Sequence, residues 1–76
     1  MMETLIDLLE EIDDEIDWEY ESRLVDDRIL DSLTVITMIA DLENSFDVEI
    51  RAEEITPDNF NSADAIWKMI CRLREN

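Results

Sequence analysis

The chain has 76 residues, of which 22 are acidic and six are basic, giving a formal net charge of -16. A single domain of this size buries only about 60% of the surface that its unfolded chain exposes, so a catalytic pocket of many residues is not expected. The chain has no histidine and one cysteine, Cys71, which excludes an internal disulfide and the ligand sets of zinc or haem. The charge disfavours nucleic acid and favours partners with a basic surface. We therefore expect one domain, residues 1–76, without catalytic activity of its own.

Hydrophobic residues make up 46% of the chain, which predicts a folded core despite the charge. No apolar run approaches about 18 residues, and no basic region precedes an apolar stretch at the N-terminus, so we expect neither a membrane span nor a signal peptide. A cytoplasmic location is the resulting expectation. Glycine is absent, which favours helices over tight hairpins.

The first 30 residues predict one amphipathic helix followed by a long loop. Apolar residues at helical spacing place the helix at about residues 3–14. The loop that follows has apolar side chains that we expect to anchor it to the core: Trp18, Tyr20, Leu24, Val25, Ile29 and Leu30. The acids between positions 13 and 21 are interpreted as a solvated face. A calcium loop is the alternative, although its glycine and closing glutamate are missing.

A second helix is predicted from Ser32 to about Ser45, with Asp31 as its N-cap. One arc of this helix should face the core: Val35, Met38, Ile39, Leu42 and Phe46. A second apolar stripe lies on nearly the opposite side: Leu33, Ile36 and Ala40. Either the long loop covers that stripe or a partner protein binds it. Asn44 and Asp47 are expected to end the helix without glycine.

The C-terminal third predicts two further helices. Thr56 followed by Pro57 is typical of a helix start, so we expect one short helical turn within residues 53–60. The last helix should begin at Asn61 or Ser62. Its apolar positions recur at helical spacing: Ala63, Ile66, Ile70 and Leu73.

The tetrapeptide Leu30-Asp31-Ser32-Leu33, at the start of the second helix, resembles the signature of the acyl carrier protein family, which includes peptidyl and D-alanyl carriers. The resemblance covers nearly the whole chain, since the acidic first helix, the long loop and the last two helices follow the same order. Thr56-Pro-Asp-Asn-Phe60, followed by Asn61-Ser62, resembles free-standing D-alanyl or peptidyl carriers. The family implies an all-α, four-helix bundle with a long loop between helices one and two and a short third helix.

The resemblance also implies a prosthetic group, 4'-phosphopantetheine, transferred from coenzyme A to Ser32 by a phosphopantetheinyl transferase. The residues agree with this role, because a serine in the first helical turn is exposed and the positive helix end favours a phosphodiester there. Without a histidine to act as base, Ser32 can be modified but is not a catalytic nucleophile. The alternative is that Asp31 and Ser32 are only a capping pair.

Two departures from the family pattern leave the cargo open. Arg28-Ile29-Leu30 stands where a glycine is often found before Asp-Ser-Leu, and Thr34 and Thr37 stand where fatty-acid carriers more often have acids. Fatty-acid, polyketide, peptidyl and D-alanyl pathways are therefore all compatible with the attachment site.

The resulting interpretation is a monomeric, non-enzymatic carrier that holds its cargo as a thioester and moves it between enzymes. Its docking face would bind basic patches on the transferase and on a loading ligase or synthase. This face is the second stripe of helix two together with a polar rim: Leu33, Ile36, Thr37, Ala40, Asp41 and Glu43. The alternative is an acidic interaction module that mimics the charge of nucleic acid and carries no group.

Overall fold

The computed structural model describes residues 2–75, which contain four α-helices and one 3-10 turn but no strand. In chain order they are α1 Met2–Ile12, α2 Ser32–Phe46, the 3-10 turn Ala52–Glu54, α3 Pro57–Phe60 and α4 Ala63–Glu75. The predicted all-α fold, with a long loop between the first two helices and a short third helix, is confirmed.

Helix α1 ends at Ile12, two residues earlier than the sequence pattern predicted. Asp13 closes the last turn, since its amide donates to the Leu9 carbonyl at 3.0 Å. The indole Nε1 of Trp18 then donates to the Asp13 carbonyl at 2.8 Å, and the Asp13 side chain accepts from the Glu15 amide. These bonds turn the chain out of the helix before residue 14.

The core is formed where α1, α2 and α4 contact one another, with α3 packed on α4. Several of its side chains are fully buried: Leu5, Leu9, Met38, Leu42, Ile66 and Ile70. The rings of Phe46 and Trp67 meet edge to face with centroids 5.6 Å apart, a favoured aromatic geometry. Of the predicted core arc on α2, Val35 and Ile39 are only half-buried.

The long loop between α1 and α2, residues 13–31, is braced against the core as predicted, but by fewer side chains. Trp18, Leu24 and Leu30 are buried, which anchors both halves of the loop. Tyr20 is 80% exposed and Ile29 is also exposed, so assigning them as anchors was wrong.

Helix α2 ends one residue later than predicted, at Phe46, and Asp47 follows in the left-handed conformation with φ 54°. Aspartate is one of the few non-glycine residues that tolerate this region, so the prediction for Asp47 is confirmed. The prediction for Asn44 was wrong, because it lies inside the helix.

The short helical turn predicted within residues 53–60 is confirmed as α3, and a separate 3-10 turn that was not predicted, Ala52–Glu54, precedes it. Pro57 occupies the first position of α3, where its missing amide costs no hydrogen bond. Thr56 precedes it with extended backbone but makes no capping bond with its side chain. Ser62 caps α4, since its Oγ accepts from the Ala65 amide at 3.0 Å.

Candidate functional site

The site begins with the cap of α2. Asp31 has extended backbone, and its Oδ1 accepts a hydrogen bond from the Thr34 amide at 2.7 Å. Its carbonyl accepts from the Val35 amide at 3.0 Å, which opens the helical ladder. The bond from the Thr34 amide holds the pKa of the Asp31 carboxyl below its usual range. The predicted N-cap is confirmed, and it is negatively charged at neutral pH.

Ser32 is the first residue of α2 and its side chain is exposed. The cap fixes it at the positive end of a 15-residue helix, where a negatively charged substituent is favoured. The chain has no histidine, the side chain that most often serves as the base for a serine hydroxyl. The geometry suits a residue that another enzyme modifies.

An open groove of about 390 Å³ adjoins Ser32 and Asp31. Its walls come from the long loop, from α2 and from the segment after the 3-10 turn: Val25, Leu30, Val35, Ile36, Ile39 and Ile55. The sequence pattern assigned Val35 and Ile39 to the core and did not identify Ile55. In the sequence, Ile55 is an apolar residue between two short turns, and no helical periodicity assigns it to the core or to the surface.

The second stripe of α2 is uncovered. Leu33 is 73% exposed and Ile36 is 64% exposed, and Ala40 is also exposed. Of the two explanations that the sequence left open, coverage by the long loop is therefore wrong. The stripe begins one residue after Ser32 and runs along the outer side of the helix.

The predicted rim of this stripe is uneven. Thr37 is exposed and Asp41 is half-buried. The Oε2 of Glu43 accepts a hydrogen bond from the Ile50 amide at 2.9 Å, which ties the end of α2 to the segment that follows. Glu43 therefore has a role within the fold, which the sequence pattern did not reveal.

Asn61, between α3 and α4, holds the long loop in place. Its Oδ1 accepts from the amides of Val25 at 3.0 Å and Asp26 at 3.1 Å, and its carbonyl accepts from the Leu24 amide at 2.9 Å. Its Nδ2 donates to Asp26 Oδ2 at 3.2 Å. The sequence marked Asn61 as a possible helix start and as part of the family resemblance, but not as a support for the loop, because no local pattern reports partners 35 or 36 residues away.

An ion pair holds the 3-10 turn against α4. The guanidinium of Arg72 binds the Glu54 carboxylate through two bonds, with Nη2 to Oε1 at 2.5 Å and Nη1 to Oε2 at 3.1 Å. Asn59 Nδ2 donates to the Glu54 carbonyl at 2.7 Å. The hydrogen bonds from Arg72 hold the pKa of the Glu54 carboxyl below its usual value, and the carboxylate raises the pKa of Arg72. Ile55, on the groove wall, follows Glu54 directly.

Other kinds of site find no support in the part of the chain that the structure describes. Across residues 2–75, no three carboxylate or thiol side chains converge as a metal ion would require. None of the helices in this range is long and apolar enough to cross a membrane. Cys71 is a free, half-buried thiol in α4.

Comparison with known proteins identifies the family. The D-alanyl carrier protein of Lactococcus lactis subsp. cremoris (strain MG1363) is 32% identical over 99% of this chain and 94% of its own length. The D-alanyl carrier protein of Streptococcus mutans serotype c is 33% identical over 87% of this chain and 78% of its own. The chain belongs to the D-alanyl carrier protein family. No protein-family model and no solved structure gives a significant match.

D-alanyl carrier proteins are phosphopantetheine carriers, so the family resemblance seen at Leu30-Asp31-Ser32-Leu33 is confirmed. The relatives are carrier proteins, which are not catalysts. The match to relatives extends over both halves of the chain rather than over the tetrapeptide alone.

Proposed function

We propose that this protein carries an aminoacyl group, D-alanyl as in its relatives, on 4'-phosphopantetheine attached to Ser32. The observation that carries the proposal is the placement of Ser32, exposed at the capped N-terminus of α2 beside an apolar groove. The names of the relatives support a carrier role over nearly the full chain.

The residues present fit this prosthetic group. The N-terminus of α2 favours a phosphodiester at Ser32, and Asp31 already occupies the Thr34 amide, which leaves the serine side chain directed to solvent. Val35, Ile39 and Ile55 offer apolar surface next to the attachment point. When bound, the group supplies a terminal thiol that holds an acyl group as a thioester.

The proposed docking face is the uncovered stripe of α2. Leu33 and Ile36 present apolar surface beside Ser32, and Ala40 leaves the backbone accessible. Thr37, Asp41 and Glu43 form the polar rim, with one Glu43 oxygen already bound to the Ile50 amide. The expected partners are a phosphopantetheinyl transferase and a loading ligase with basic patches, which the charge of -16 would attract rapidly.

We expect the carrier to work in the cytoplasm, because coenzyme A, the donor of the group, is available there. We also expect it to work as a monomer. Its mobile tether would raise the effective concentration of the cargo at the active sites of its partners.

The test of attachment is the intact mass after incubation with coenzyme A and a promiscuous phosphopantetheinyl transferase. We expect one added phosphopantetheine on the wild type and on Ser45→Ala, which changes an exposed serine of the same helix, and none on Ser32→Ala. An unmodified wild type in the presence of an active transferase would contradict the proposal and favour the acidic interaction module.

The test of cargo uses the modified protein with a D-alanine-activating ligase, ATP and either D-alanine or L-alanine. We expect one alanyl group in the mass spectrum, formed faster from D-alanine and removed by hydroxylamine, which cleaves thioesters. Loading by a fatty-acyl ligase but not by the D-alanine ligase would assign the protein to a different cargo.

A further inference from the structure

We infer that Asn61 is a positioning residue for the Ser32 site, an inference that rests on the proposed function. Asn61 lies at the junction of α3 and α4, and its partners lie in the long loop that leads to Ser32. It acts on the site through this loop and touches neither the attachment point nor the reacting atoms.

Asn61 bonds three consecutive amides of the long loop. Its carbonyl accepts from Leu24, and its Oδ1 accepts from both Val25 and Asp26. A loop without helix or strand needs such partners for its buried amides, and Asn61 supplies them to buried Leu24 and half-buried Val25 as well as to exposed Asp26. Val25, which is bonded in this way, is part of the groove wall beside Ser32.

Further backbone bonds connect Leu24 to Leu30, which lies just before the site. The Leu24 carbonyl accepts from the amides of Ile29 at 2.9 Å and Leu30 at 3.0 Å. Leu30 is buried and lines the same groove, and Asp31 and Ser32 follow it directly. The backbone carbonyl of Asn61 is thus joined to Leu30 through Leu24, while its side chain holds Val25 and Asp26 directly.

Two walls of the groove are held by separate sets of hydrogen bonds. In one wall, the Asn61 side chain holds Val25, and its backbone carbonyl supports Leu30 through Leu24. In the other, Ile55 follows the turn that Glu54 and Arg72 hold on α4. Removing the Asn61 side chain keeps the backbone bond to Leu24 but frees the amides of Val25 and Asp26. It should therefore displace the Val25 part of this wall beside Ser32 while leaving the Asp31 cap in place. Small displacements of a reacting group lower reaction rates strongly.

The main variant is Asn61→Ala, and its control is Ser62→Ala. The control removes the adjacent side chain, whose hydrogen bond goes to the Ala65 amide of α4 rather than to the long loop. Both changes remove hydrogen bonds at the same junction. Transfer of phosphopantetheine to Ser32 is measured at a temperature at which circular dichroism shows every variant to be fully folded.

We expect Asn61→Ala to lower kcat/KM for the carrier roughly ten-fold, within the range that misplacement of a reacting group produces, and Ser62→Ala to leave it nearly unchanged. Amide exchange should become faster at Val25 and Asp26 in Asn61→Ala alone. A normal kcat/KM in Asn61→Ala, or an equal loss in Ser62→Ala, would overturn the inference.

A rescue variant separates positioning from a general loss of packing. Asn61→Asp keeps the acceptor for Val25 and Asp26 but loses the donor and places two carboxylates together, so its kcat/KM should also fall. Adding Asp26→Asn restores a donor opposite the new carboxylate and should return most of kcat/KM. Failure of the double variant to recover, with its loop amides protected, would contradict the inference. If the wild type is not modified at all, the proposed function fails as well, whereas loss confined to the Asn61 variants concerns the inference alone.

Discussion

The Thr34 amide donates to Asp31 Oδ1 at 2.7 Å, and Ser32 lies between these two residues in the chain. This bond satisfies one of the free amides at the start of α2 and sets the backbone that presents Ser32. Asparagine also caps helices well, so charge and capping can be separated at this position.

We predict that Asp31→Asn retains the thermal midpoint of the wild type, whereas Asp31→Ala lowers it because the Thr34 amide loses its acceptor. Thermal unfolding followed by circular dichroism measures both. If Asp31→Ala unfolds at the same temperature as Asp31→Asn, the capping bond does not stabilise the helix as described.

The exposed stripe of α2 should contribute to recognition rather than to stability. Ile36 is 64% exposed, so Ile36→Ala should change the free energy of unfolding by no more than about 0.5 kcal/mol. Leu42 on the same helix is fully buried, and Leu42→Ala should cost about 2 to 5 kcal/mol. Denaturant titration measures both variants. Ile36→Ala should also slow modification of Ser32, and an unchanged rate in this stable variant would place the docking face elsewhere.

Arg28 has φ 58°, in the left-handed region that glycine enters without steric cost. We therefore predict that Arg28→Gly stabilises the protein by about 0.5 to 1 kcal/mol, after the greater entropy of glycine in the unfolded chain is subtracted. Arg28→Ala is the control, because it removes the guanidinium but keeps the Cβ that causes the strain. Equal effects of the two changes in denaturant titration would show that charge, rather than backbone conformation, matters at this position.

The Glu54 pair predicts a specific pH dependence. Arg72 lowers the folded-state pKa of the Glu54 carboxyl from its usual value of 4.5, so the ionised form stabilises the fold above that value. The stabilisation is lost as the pH falls through the lower, folded-state pKa. Glu54→Gln should therefore be less stable than the wild type at neutral pH, and the difference should shrink in acid.

Denaturant titrations of both proteins at neutral pH and at about pH 3 measure that difference, and the relief of overall charge repulsion in acid largely cancels between them. Glu53→Gln, in an exposed position of the same turn, is the matched control. A difference that stays constant or grows in acid would contradict the role given to the Glu54 carboxylate.

The helices and the site serine could be predicted from local patterns. Asp31 and Ser32 combine a cap, a helix start and an apolar period, all within a few residues, and the structure places them as expected. Asp47 could also be predicted from local sequence, since few residues other than glycine tolerate the left-handed conformation that ends a helix.

The groove and its supports could not be predicted, because they depend on contacts distant in sequence. Asn61 bonds amides 35 and 36 residues away, and Arg72 reaches Glu54 across 18 residues. Tyr20 and Ile29 show the converse, because apolar residues in an irregular loop have no period that assigns them to the core or to solvent.

The most direct test of the account is the position of the phosphopantetheine in the modified protein, determined by fragmentation of the tryptic peptide 29–51. This peptide, released by cleavage after Arg28 and Arg51, contains both Ser32 and Ser45, so fragmentation within it assigns the modified serine. We predict that the group is found on Ser32 alone and that Ser32→Ala yields only the unmodified peptide. A group on Ser45, on a serine outside this peptide or on Ser32→Ala protein would contradict the central claim.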